Sequence, residues 1–60
     1  MTKENKSRLK ASLLRVIHAC DELSETYTRI ADDGFNDAAT HWIYLSATEA
    51  KFRDQLAQLD

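Results

Sequence analysis

ADDGFND, residues 31–37, decides the fold of this 60-residue chain. It holds the single glycine of a sequence without proline, so it is the one clear break between two long helix-forming segments. Gly34 is predicted to be the left-handed residue just past a helix end, with Asp33 as the C-cap. In such a Schellman ending, the apolar Phe35 is expected to contact Ile30.

A second helix is predicted to start directly after this break. Asn36 or Asp37 can act as its N-cap, because both side chains accept hydrogen bonds from the first free N–H groups of a helix. Thr2 or Ser7 is a comparable start signal for the first helix. The sequence therefore predicts a helical hairpin.

Apolar positions on both sides of the break repeat with alternating gaps of four and three residues, the spacing of a heptad seam. Two matched seams joined by a short turn predict an antiparallel pair of helices. The first seam is Leu9, Leu13, Val16, Cys20, Leu23, Tyr27 and Ile30. The second is Ala38, Trp42, Leu45, Glu49, Phe52, Leu56 and Leu59.

The predicted fold class is thus all-α, a single helical-hairpin domain over residues 1–60. The helices are expected at about 3–32 and 37–59, with the turn at about 33–36. So short a chain needs support beyond its own core, and its single cysteine, Cys20, allows no internal disulfide. Dimerisation into a four-helix bundle is the expected support.

HWIYL, residues 41–45, points to the same need for a second copy. Its four consecutive large residues are about 100° apart around a helix, so one helix partner cannot cover them all. The residues that remain after both seams are assigned predict the dimer or partner interface. They are Leu14, Ile17, Ile43 and Tyr44, joined by the seam residue Trp42.

Few residues in the sequence indicate a catalytic or metal-binding site. Glu49 occupies a seam position where an apolar residue is expected, and we interpret it as a polar residue that fixes register and oligomeric state. A metal-binding or proton-transfer cluster of Glu49 with His18 and Cys20 is the less favoured alternative, as is a set of His18, Asp21 and Glu22 on one helix. We expect no enzyme activity, cofactor, metal or small-molecule substrate.

Charge is distributed unevenly, with a balance of +4 over residues 1–15 and −6 over residues 16–60. Lys3, Lys6 and Lys10 share one helical face that could contact the phosphates of a nucleic acid. No aromatic residue lies among them to stack on bases, which favours a solvated face. No apolar run is long enough for a membrane span, so a cytoplasmic protein is expected.

The chain resembles the Rop-type plasmid RNA-binding proteins in size, twin heptads, acidic turn, the N-terminal MTK, Lys6 and Leu9. That resemblance implies a dimeric four-helix bundle and RNA binding, although Lys10, Leu14 and His18 replace the family's RNA-reading residues. In style, the chain also resembles accessory proteins of lambdoid phages. We expect a non-enzymatic accessory homodimer in a bacterial host, contacting a host protein and modulating host processes or the lytic–lysogenic choice, with RNA binding as the alternative.

Overall fold

The computed structural model describes residues 1–34 and 37–59, and all regular structure in these ranges is helical. Helix α1 spans Lys3–Asp32 and helix α2 spans Ala38–Gln58. The two helices pack against each other in opposite directions, with Tyr27 stacked on His41 and Asp21 paired with Arg53. The predicted all-α helical hairpin is confirmed, and the helix ends lie within one residue of the predicted ones.

Local signals account for the start of α1. The Thr2 backbone is extended, and its hydroxyl accepts a hydrogen bond of 3.1 Å from the Asn5 N–H. One turn later, Glu4 lies near the positive end of the helix dipole and forms an ion pair of 2.8 Å with Arg8. An N-cap bond and an i, i+4 pair of this kind stabilise a helix end without tertiary contacts.

The turn agrees with the predicted helix ending where it is described. Asp33 is the C-cap, Gly34 has a φ of +95°, and the Gly34 N–H donates to the Ala31 carbonyl oxygen at 3.2 Å. This bond is one of the two that define a Schellman motif. The expected contact of Phe35 with Ile30, and the alternative cap Asn36, lie outside the described residues.

Asp37 is the N-cap of α2, but its side chain accepts no capping hydrogen bond. Its φ of −94° and ψ of 3° explain the difference from the prediction. A capping side chain reaches the free N–H groups only from an extended backbone. The start of α2 therefore lacks the side-chain support that Thr2 gives to α1.

Helix α1 buries part of the predicted seam. Leu13 and Cys20 are buried as the seam predicted, but Ile17, which lies outside the seam, is buried as well, and the seam residue Val16 is exposed. The apolar surface of α1 is wider than the contact that one neighbouring helix can make, so α1 can bury only part of it. It turns Ile17 rather than Val16 toward α2.

On α2 the predicted seam faces α1 with one exception. Ala38 is buried, and Trp42 keeps almost half of its surface exposed. The remaining seam residues are half-buried, namely Leu45, Glu49, Phe52, Leu56 and Leu59. The hairpin is long and thin, at 47 × 14 × 12 Å, and neither described helix is apolar enough over 18 residues to cross a bilayer.

Candidate interaction surface

One long side of the hairpin carries apolar residues that the helix pair leaves partly exposed. Leu9, Val16 and Leu23 are spaced seven residues apart, so they stack along one line of α1, and they are 37%, 39% and 40% exposed. Ile30 continues the line and is half-buried. We call this side the stripe face, and its α2 members are the half-buried Leu45, Phe52 and Leu59.

The contact of Tyr27 with His41 aligns the stripe residues of α1 with those of α2 along the hairpin axis. Leu23 lies four residues before Tyr27, and Leu45 lies four residues after His41. Because both helices rise by about 1.5 Å per residue, these two leucines are at the same level. The same counting places Val16 level with Phe52, Leu9 with Leu59, and Ile30 with Ala38. The stripe face thus consists of four stacked apolar layers.

The opposite side of the hairpin carries ions instead, and we call it the charged face. Arg53 of α2 lies 3.5 Å from the Asp21 carboxylate of α1 and 2.9 Å from the carboxylate of Glu49. Asp21 follows Leu14 by seven residues, so Leu14 belongs to this face as well. Arg53 is next to Phe52 in sequence and about 100° from it around α2, which separates the two faces.

The charged residues near the stripe face lie along its outer edges. The residues four positions before each stripe residue are polar or small, namely Asn5, Ser12, Ala19 and Thr26 on α1 and His41, Thr48 and Gln55 on α2. The residues one position before each stripe residue are about 100° away around the helix, and they are Arg8, Arg15, Glu22 and Arg29 on α1 and Tyr44, Lys51 and Gln58 on α2. Depletion of charge at an apolar centre is typical of protein interfaces.

The five residues predicted as an interface do not form one surface. Ile17 is only 6% exposed and packs inside the hairpin, so little of it is left for a partner. Ile43 and Tyr44 are among the most exposed apolar residues, but they point about 100° apart around α2. Leu14 lies on the charged face, several turns from Trp42.

Trp42 borders an open groove near the turn, on the charged face. The groove has a volume of about 320 Å³. Its lining is mainly apolar, with Asp32 as the charged member of the wall. The residues that line it are Tyr27, Thr28, Ala31, Asp32, Ala38, Ala39 and Trp42.

Glu49, the polar residue of the second seam, has its basic partner on its own helix. The side chain is 17% exposed, and its carboxylate accepts a hydrogen bond of 2.9 Å from the Arg53 Nε. His18 instead pairs with Glu22 one turn along α1, at 3.1 Å. The structure therefore places Glu49 at the edge of the helix contact, linked through Arg53 to Asp21, and its role in fixing register stays a prediction.

The basic residues at the start of α1 divide into two environments. Lys3 and Lys6 are exposed, whereas Lys10 is half-buried. Leu9 is level with Leu59, the C-cap of α2, so the residues of α1 before Leu9 extend past the end of that helix. Lys3 and Lys6 therefore lie on a helix end that projects about 9 Å beyond its neighbour.

The groups that might carry chemistry are dispersed. Cys20 is a free thiol buried between the helices. Within residues 1–34 and 37–59 no group of three or more His, Cys, Asp or Glu side chains is placed to hold a metal ion. The absence of a metal site stays a prediction.

The sequence prediction did not place Leu9, Val16 and Leu23 among the exposed apolar residues, because it assigned them to the seam inside the hairpin. The signal for a wider contact surface is present in the sequence. Apolar residues occupy three adjacent lines along α1, which begin at Leu9, Leu13 and Ile17. A single neighbouring helix covers about two of these lines. Comparison with family models, curated proteins and solved structures finds no match to this chain.

Proposed function

We propose that this chain is a non-enzymatic interaction protein that works as a homodimer joined through the stripe face. The observation that carries the proposal is the partly exposed line of Leu9, Val16 and Leu23 along α1. Apolar lines at heptad spacing are the usual contact surface between helical hairpins in four-helix bundles. Two stripe faces packed together would enclose the apolar layers of both copies.

The exposed area supports a second copy of this size. The hairpin exposes 4796 Å², whereas a compact monomer of 6.9 kDa exposes about 4,000 Å². The excess is about 800 Å², which is the area that each partner contributes to a standard protein interface. An interface of that area fits on one long side of the hairpin.

The charges favour the stripe face over the opposite side as the contact. Packing the charged face against a second copy would remove water from Asp21, Arg53 and Glu49. Desolvation of such a group costs free energy that its mutual attraction often does not recover. The stripe face requires little of this desolvation, because the charged residues along its outer edges, such as Arg15 and Lys51, can keep their charged groups in water.

The dimer would leave Trp42 and Ile43 exposed on its outer sides. We propose that these residues contact a further protein, in keeping with the role of a phage or plasmid accessory protein in the bacterial cytoplasm. The groove beside Trp42 supports this part of the proposal, since aromatic residues at the edge of an apolar groove are frequent anchors in protein contacts. Ile43→Asp should then weaken binding of the partner without dissociating the dimer.

The direct test of the homodimer is the mass in solution, measured by light scattering after size exclusion over a dilution series. We expect a species of twice the 6.9 kDa chain mass that dissociates on dilution. Burial of the stripe should also protect the amides of α1 from hydrogen exchange as concentration rises. A folded monomer at all concentrations up to the millimolar range contradicts the proposal.

RNA binding is the second candidate function, and the projecting start of α1 is the observation that favours it. Lys3 and Lys6 of both copies would be available to phosphates at the ends of a dimer. Binding should weaken as salt rises, and the double variant with Lys3→Ala and Lys6→Ala should lose both affinity and part of the salt dependence. Absence of binding to structured RNA at low salt rules this candidate out.

A further inference from the structure

We infer that the groove near the turn receives an arginine side chain of a partner polypeptide. The guanidinium group of that arginine pairs with the Asp32 carboxylate and lies against the ring of Trp42, while its aliphatic stem follows the apolar lining. This inference rests on the proposed partner contact at Trp42 and Ile43, and it adds the chemistry of the residue that the partner contributes.

The size and lining of the groove fit one long side chain. Its volume of about 320 Å³ is at the lower end of the roughly 300–1,000 Å³ that ligand pockets occupy. The groove therefore has room for a side chain but not for a helix. Ala31, Ala38 and Ala39 line it with short methyl groups. They leave space between the helices for an aliphatic stem, which is favourable to bury while its charged end stays in a polar place.

Asp32 and Trp42 lie at opposite ends of the groove and lean toward each other. Counting from the contact of Tyr27 with His41, Asp32 is about 9 Å closer to the turn than Trp42. In a helix each Cα–Cβ bond tilts toward the N-terminal end. Because α1 and α2 run in opposite directions, the Asp32 side chain leans away from the turn and the Trp42 side chain leans toward it. A planar guanidinium group between them can pair with the carboxylate and stack on the indole ring.

The charge at this end of the hairpin favours a cation. Residues 30–41 contain Asp32, Asp33 and Asp37 but no lysine or arginine. Among the residues that the structure describes, no ion pair involves Asp32. The nearest arginine along the chain, Arg29, is not part of the lining. The negative potential at the groove therefore attracts a positive side chain from a partner.

The Asp32 carboxylate also argues against other occupants. A leucine or phenylalanine side chain in the groove would remove water from this carboxylate without giving it a partner, which costs free energy. Lysine would supply the charge, but it lacks the flat face that stacks on an aromatic ring. Arginine matches both the carboxylate and the ring of Trp42.

Ile43 indicates what lies beside the arginine in the partner. It follows Ala39 by four residues, so it extends the α2 wall of the groove by one helical turn, about 6 Å. Its side chain is 61% exposed. In an extended segment, residues two positions apart are about 7 Å apart and point to the same side. The partner segment therefore places an apolar residue two positions from its arginine.

A short peptide with defined variants tests this chemistry. The probe is a capped pentapeptide with arginine at its second position, leucine at its fourth and alanine elsewhere. Its binding is followed by the NMR shifts of the Ala31 and Ala39 amides and of the indole N–H of Trp42, the single tryptophan of the chain. Citrulline has nearly the shape of arginine but no charge. Replacing the arginine by citrulline should weaken binding roughly tenfold, since the ion pair and the cation–π contact are both lost.

Substitutions in the chain provide the matching measurement. Asp32→Asn should weaken binding of the arginine peptide about two- to fivefold and leave the citrulline peptide unchanged. Asp54→Asn is the control, because it makes the same change of charge at an exposed position about 27 Å away along the hairpin. Trp42→Leu should also weaken the arginine peptide about two- to fivefold. The amide shifts report this variant, and circular dichroism checks its helicity.

The possible outcomes separate the arginine site from the homodimer. A preference for arginine over citrulline that Asp32→Asn removes and Asp54→Asn keeps supports the site, and it does so even if light scattering shows a monomer. Equal binding of both peptides, or binding of neither, overturns the site and leaves the homodimer intact, because the groove lies opposite the stripe face. Unchanged affinity when the peptide leucine becomes alanine overturns the assignment to a polypeptide segment. Dissociation of the dimer by Trp42→Leu overturns the site too, since the groove would then belong to the contact between copies.

Discussion

Replacing Val16 by Asp tests whether the stripe face is the dimer contact. Burial of a whole valine side chain contributes about 1.5–3 kcal/mol, and Val16 keeps 39% of its surface exposed in the hairpin. Covering that remainder should contribute about 0.6–1.2 kcal/mol per copy, and about twice this in a symmetric dimer. The aspartate loses this term and also brings two carboxylates into a contact where they have no partner.

The expected result is dissociation of the dimer. An unpaired carboxylate buried at an interface costs several kcal/mol, which exceeds the lost apolar term. Because 1.4 kcal/mol is tenfold in affinity, the dissociation constant should rise by at least about a hundredfold. Helicity of the separated hairpin should change little, since aspartate and valine have similar helix propensities. Sedimentation velocity over a concentration series measures the first effect, and circular dichroism the second.

Leu14→Asp is the matched control on the same helix. Leu14 lies two residues earlier, is 54% exposed and faces the side of Asp21 rather than the stripe. Leu14→Asp introduces one negative charge, as Val16→Asp does, so a general effect of charge would appear in both variants. Its dissociation constant should stay within about threefold of the unsubstituted chain. Equal dissociation by both variants, or by Leu14→Asp alone, would refute the assignment of the stripe face.

Three further substitutions test the hairpin itself. Gly34→Ala should lower the free energy of unfolding by about 1–2 kcal/mol in urea denaturation, because φ is +95° while the space for a Cβ is open; an unchanged midpoint would speak against the left-handed turn. Thr2→Ala should cost about 1 kcal/mol by removing the cap bond to Asn5, and Thr2→Ser should not. Glu49→Leu should raise the thermal midpoint or change the oligomeric state, because Arg53 would still have its ion pair with Asp21. A large loss of stability would show that the Glu49 carboxylate has a structural role.

Substitutions on the charged face and on the stripe face should have different effects on this chain. Substitutions on the charged face near Asp21 should alter exposed ion pairs that each contribute little to stability. Substitutions on the stripe should change association more than folding of the single hairpin. Measurements of unfolding at one concentration would mix these effects, since association stabilises the folded state in a concentration-dependent way.

Local sequence signals by themselves determined where the helices begin and end. Gly34 can adopt the positive φ of the turn with little strain, and Thr2 supplies the side-chain oxygen that the first free N–H groups need. Heptad spacing on both sides of the turn likewise required an antiparallel pair. These properties depend on residues within one or two turns of each other, so they can be inferred without a tertiary structure.

The tertiary structure decided which apolar line of each helix faces inward. The sequence offers Leu9, Leu13 and Ile17 as the first members of three adjacent lines, and it cannot rank them, because their burial depends on how α1 rotates against α2. In the hairpin Leu13 and Ile17 turn inward and the line of Leu9 stays outside. The same rotation joins Arg53 to Asp21 on one side and leaves Leu9, Val16 and Leu23 partly exposed on the other, since the packing of two helices fixes both of their outer faces at once.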